Sequence, residues 1–183
     1  MPAAGLTDRA VELAPGVHLV GALYPHLRNF DIILKTANGT SYNSYVVRGE
    51  TGVAVIDTVK EEFADTFFAR LESVARYDEI TVIVLNHLEP DHSGALPELL
   101  KRAPQAKVYL SSRAQMMLKA LLKPSGEKAP EYIPVTTDDE VDLGSRTLRF
   151  LHTPYLHWPD TQCTHLVEEG LLSSGDVSGC HLC

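Results

Sequence analysis

The run ITVIVLNHLEPDHSGALPEL, residues 80–99, decides how the rest of the chain is read. Its first six residues are apolar and β-branched or leucine, which predicts a buried strand. His87, Glu89, Asp91 and His92 follow within six positions. If the segment stays extended, the spacing of two puts His87, Glu89 and Asp91 on one face. Ligands of α/β sheets gather beyond the carboxyl ends of strands, which is where this cluster falls. Imidazole suits iron, zinc, copper or nickel, and carboxylates favour harder ions, so the mixture points to iron, manganese or zinc. A merely charged loop is the bland alternative. H-x-E-x-D-H arises by chance in such a chain on the order of once in a thousand, which favours a metal site. His157 in YLHWPDT (155–161) and Asp176 in LLSSGDVSG (171–179) are further candidates. Taken alone, His157 also reads as a core or turn histidine, and Gly175-Asp176 as a common turn pair.

Outward from the cluster, GVHLVGAL (16–23), NSYVVRG (43–49) and GVAVIDT (52–58) read as strands. Between Lys60 and Arg76, Phe63, Phe67, Leu71 and Val74 recur at helical spacing. Ser93 is positioned to cap a short helix ending near Arg102, and Ser111 or Ser112 to cap another over 112–122. KVYL (107–110), EYIPVT, RTLRFLHT and THLVEEGLLSSGD supply more strands. Strand–helix alternation thus gives way to a strand-rich second half. The expected fold is α/β in one domain over 1–183, a helix-covered sheet rather than a purely parallel Rossmann unit.

The chain has 183 residues, 44% of them hydrophobic, enough for one real core. Its formal net charge of −8 and the lack of a Lys/Arg run argue against nucleic acid or an anionic membrane as partner. No segment approaches the roughly 20 apolar residues of a membrane helix, and the N-terminus lacks a secretory pattern. Cys163, Cys180 and Cys183 do not form a disulfide framework. The expectation is a soluble cytoplasmic protein.

H-x-E-x-D-H, followed by L-H-W-P-D and then S-G-D, resembles the flavodiiron (A-type flavoprotein) branch of the metallo-β-lactamase fold. GTSYNSYVVRGETGVAVIDTV (39–59) is similar to that branch's opening strands. The resemblance implies an αββα sandwich and two irons. One iron would be held by His87, Glu89 and His157, the other by Asp91 and His92, with Asp176 bridging. It implies reduction of O2 to water or of NO to N2O, with electrons from a flavoprotein or rubredoxin-type donor, and it allows a homodimer. Ordinary members of the superfamily carry histidine where Glu89 stands, and bind zinc as hydrolases. The extra carboxylate suits an ion that must reach the ferric state.

The resemblance also implies a later histidine ligand and a flavodoxin-like domain. The chain stops seven residues after Asp176, and His181 stands too close to it to be that ligand. The fold is therefore expected to be incomplete at its C-terminus, with a loosely held second iron. No Gly-rich phosphate loop is present, so FMN is not expected on this chain. His26 and Asp31 lie in a segment that can approach the site in the resembling proteins. His18, His152 and His165 read as structural, and the terminal C-x-x-C as a tail. A zinc hydrolase, and a gas sensor or inactive fragment, are the competing readings.

Overall fold

A computed structural model describes residues 9–30, 34–121 and 130–178. Its strands are β1 Val11–Ala14, β2 Val17–Leu19, β3 Ala22–Tyr24, β4 Asn29–Phe30, β5 Leu34–Lys35, β6 Thr40–Tyr42, β7 Tyr45–Arg48 and β8 Val53–Ile56. They continue with β9 Ile80–Leu85, β10 Lys107–Ser111, β11 Tyr132–Val135, β12 Glu140–Asp142, β13 Thr147–His152, β14 Gln162–Leu166 and β15 Leu171–Ser173. The α-helices are α1 Ala64–Glu72, α2 Pro90–Ser93, α3 Leu96–Arg102 and α4 Ser112–Leu121. Seven strands form one sheet in the order β1-β2-β7-β8-β9-β10-β11, and four form a second, β12-β13-β14-β15. Strands β8 to β11 run parallel and the second sheet is antiparallel.

Burial on both faces explains the apolar runs. Val53 and Val55 of β8, with Ile83 and Leu85 of β9, face a core closed by Phe67 and Leu71 of α1, Leu99 of α3 and Leu118 of α4. Ala54, Ile56, Val82 and Val84 alternate with them and meet Leu148, Phe150 and Leu166 of the second sheet. The layers formed by the described residues are helix, sheet, sheet, three of the four layers of an αββα sandwich. Among the described residues, the apolar faces of α1, α3 and α4 all cover the seven-stranded sheet. No described helix is long and apolar enough to cross a membrane.

Three sequence expectations need correction. The strand expected over 16–23 is two strands, β2 and β3, broken at Gly21. A Cβ there would lie 2.0 Å from the Tyr42 carbonyl oxygen, so only glycine lets the chain leave the large sheet and pair with β6. Ser93 does not cap a helix; its hydroxyl donates back to the carbonyls of Leu88 and Glu89 at 2.9 and 3.1 Å. The H-x-E-x-D-H segment is not extended throughout, because Asp91 and His92 lie on the single turn of α2, which starts at Pro90. By contrast, Ser111 does cap α4, its Oγ accepting the Ala114 N–H at 3.1 Å. Ribbons β3–β6 and β4–β5 and strand β12 were not legible in the pattern.

Arg146, between β12 and β13, staples the two sheets. Its half-buried guanidinium donates to the Arg48 and Pro15 carbonyls and pairs with Glu169. Arg146→Ala strips all three acceptors of their donor at once. Chemical denaturation should show a loss of about 2–3 kcal/mol.

Candidate metal centre

The site lies where β9 and the second sheet end together. His87 lies two residues after β9 and is wholly buried. Glu89 precedes α2, whose turn presents Asp91 and His92. His157 comes from the loop between β13 and β14, and Asp176 from a 3-10 turn after β15. The structure thus brings all six sequence candidates together. Donor atoms of His87, Glu89, His157 and Asp176 lie within 4.8 Å of one another, as do those of His87, Asp91 and His92. Asp176 joins the two groups, with Oδ1 at 3.1 Å from His92 Nε2 and Oδ2 at 3.7 Å from His157 Nε2.

The chemistry of this donor set fits a cation. Both ring nitrogens of His87 and Oδ1 of Asp91 are buried without a hydrogen-bond partner. Such burial costs free energy unless something else satisfies the atoms. His157 Nε2 lies 3.2 Å from Glu89 Oε2, a contact that a proton makes in the absence of a metal. The neighbouring His87, then His157, hold the Glu89 carboxyl below its usual range. At 3.6 Å the His87 Nε2–Glu89 Oε2 contact is electrostatic rather than a hydrogen bond. Burial pushes Asp91 up. Burial also opposes charge on His92, but hydrogen bonds to Asp176 and Asp57 overcome it and raise its pKa well above the ordinary imidazole value.

A metal bound at His92 would compete with a proton there, so its affinity should fall as pH falls. Calorimetric titration of Mn2+ at pH 7 in two buffers of different ionisation enthalpy should reveal proton release. Identical heats in both buffers would contradict it.

Two residues outside the candidate list shape the centre. Asp57 is 1% exposed; its Oδ2 lies 3.4 Å from His92 Nδ1 and its Oδ1 accepts the Asn86 N–H at 2.7 Å. A carboxylate on Nδ1 leaves Nε2 to face the centre. Asp57 adopts φ 57°, which Asp tolerates better than most residues. The sequence clue was a carboxylate placed directly after the buried strand β8. Asp160, also buried, accepts the Leu88 N–H at 2.8 Å through Oδ2, tying the His87–Glu89 segment to the loop of His157.

Beside the carboxylates lies a cavity of about 200 Å3, with Leu27, Phe30, Tyr42 and Lys60 facing Glu89 and Asp91. His26 is exposed and belongs to neither donor group. Asp31, Cys180, His181 and Cys183 fall outside the described residues. His18, His152 and His165 lie on β2, β13 and β14.

The family model described as "ODP family beta lactamase" matches residues 40–182. The chain belongs to that family. It is 65% identical over 173 residues to type A flavoprotein fprA of Rhodobacter capsulatus, covering 94% of this chain and 40% of the relative. It is 39% identical over 175 residues to flavo-diiron protein FprA2 of Clostridium acetobutylicum, covering 95% and 43%. The rubredoxin oxygen:oxidoreductase of Desulfovibrio gigas superposes with a TM-score of 0.88 at 33% identity, covering 95% of this chain and 42% of that one. The chain spans about 40% of the length of these relatives.

Proposed function

We propose that this chain holds a non-haem diiron centre that takes part in reducing a diatomic gas, O2 to water or NO to N2O. His87, Glu89 and His157 would bind one iron and Asp91 and His92 the other, with Asp176 shared. The observation that carries the reading is the position of Asp176, 3.1 Å from His92 and 3.7 Å from His157, between two donor groups. Bound there, a ferrous pair would supply electrons and hold the gas at an open position.

This chain's residues then have distinct tasks. Glu89, Asp91 and Asp176 bring three negative charges, which favour the more oxidised ion over a neutral imidazole set. Asp57 fixes the His92 tautomer through Nδ1. Leu27 and Phe30 give the adjoining cavity an apolar wall, which suits a small uncharged gas. Electrons would arrive from a flavin- or rubredoxin-type carrier, on another segment or another polypeptide.

Metal analysis tests the assignment. Chain produced with ample iron and purified without oxygen should hold iron, one ion firmly and a second more loosely. Stoichiometric zinc with no iron would instead support a hydrolase on the same fold.

A further inference from the structure

We propose that Asn86, which offers no ligand atom, is the positioning residue that sets the spacing between the two halves of the metal centre. The inference rests on the ligand assignment above. Asn86 directly follows β9 and is fully buried. Every polar group it owns is engaged, and the partners lie on three parts of the fold: the residue after β8, β14 and β15. Its backbone N–H donates to Asp57 Oδ1 at 2.7 Å, and its carbonyl accepts the Gln162 N–H of β14 at 2.8 Å. Its side-chain NH2 donates to the Ser173 carbonyl at 3.3 Å and to Ser173 Oγ at 3.1 Å, on β15. Its side-chain oxygen accepts the Thr164 hydroxyl at 2.8 Å. A carbonyl only accepts, so Ser173 fixes which end of the amide faces β15.

These bonds lead to ligands in three directions. His87 is the next residue in the chain. Asp57 meets His92 Nδ1 through its second carboxylate oxygen. Ser173 lies three residues before Asp176, and the turn between packs directly on the hub. A Cβ on Gly175, which has φ +51°, would lie 3.7 Å from both Asn86 Cβ and His87 Nδ1. A residue that merely joined two sheets would need only one of these links. Asn86 ties the segments bearing His87, His92 and Asp176 to a single residue, the first two through its backbone and the third through its side-chain amide.

Asn86→Asp keeps the side chain's size but turns an oxygen toward the Ser173 carbonyl, which cannot donate. Asp176 should then shift relative to His87. Co2+ is the probe, because its visible absorption reports coordination geometry. Metal-stripped chain is titrated with Co2+ as wild type, Asn86→Asp, Thr164→Val and Ser173→Ala, and each is melted without metal. Asn86→Asp should bind about 10- to 100-fold more weakly, with altered visible bands. Thr164→Val and Ser173→Ala should show smaller losses in the same direction. A purely structural bond would lower the metal-free melting temperature and leave affinity and bands of the folded chain unchanged; that result overturns the proposal. If Asn86→Asp does not fold, the two milder variants decide, and wild-type affinity and bands in both overturn it. A wild type that takes up no Co2+ would sink the ligand assignment itself, and the role of Asn86 with it.

Discussion

Asp176→Ala should empty both halves of the metal centre, whereas Asp91→Ala should empty one. The two carboxylates differ in reach. Asp91 Oδ2 lies 3.8 Å from His92 Nε2 and belongs to one donor group, while Asp176 touches both His92 and His157. After anaerobic iron loading, elemental analysis should give about two irons per wild-type chain, about one for Asp91→Ala and well below one for Asp176→Ala. Asp176 is partly accessible, its side chain 28% exposed, so its removal should leave the metal-free fold intact. Equal iron content in the two variants would show that Asp176 serves one ion only.

Glu89→His should reverse the metal preference. It converts the segment to H-x-H-x-D-H and takes one negative charge from a pocket that holds three carboxylates. Neutral imidazole no longer favours the oxidised ion, and a nitrogen-rich set suits zinc. In competition between Fe2+ and Zn2+ the variant should move at least about tenfold toward zinc. Its iron form should also be oxidised more slowly by O2. An unchanged ratio and rate would mean that Glu89 does not touch the metal. The side chain is 12% exposed and flanked by His87 and His157, so a ring has neighbours but little spare room.

Much of the fold was legible because the large sheet is buried on both faces. ITVIVL matches β9 residue for residue, since every position but Thr81 is buried. The short ribbons were not legible, because two- and three-residue strands leave no periodicity to read. His87, Glu89, Asp91 and His92 stood out by residue type and spacing, and His157 and Asp176 came in through the family resemblance, although the extended geometry assumed for Asp91 was wrong. Pro90 at a helix start was the overlooked signal. Asp57 and Asn86 escaped notice for another reason. Their importance lies in hydrogen bonds to elements 29 to 87 positions away, and no local pattern encodes such partners.

His87 hangs from the large sheet, and Asp176 from the small one, 89 positions later. An ion gripping both is a cross-link, comparable in chain statistics to a disulfide that closes a long ring. A closure of that length restricts the unfolded chain by roughly 4–5 kcal/mol, if the ion remains bound to both ends when the chain opens. An ion that dissociates on unfolding acts instead through its binding free energy, so stability would climb with metal concentration. The dependence of melting temperature on free metal therefore distinguishes a permanent clasp from a ligand in exchange.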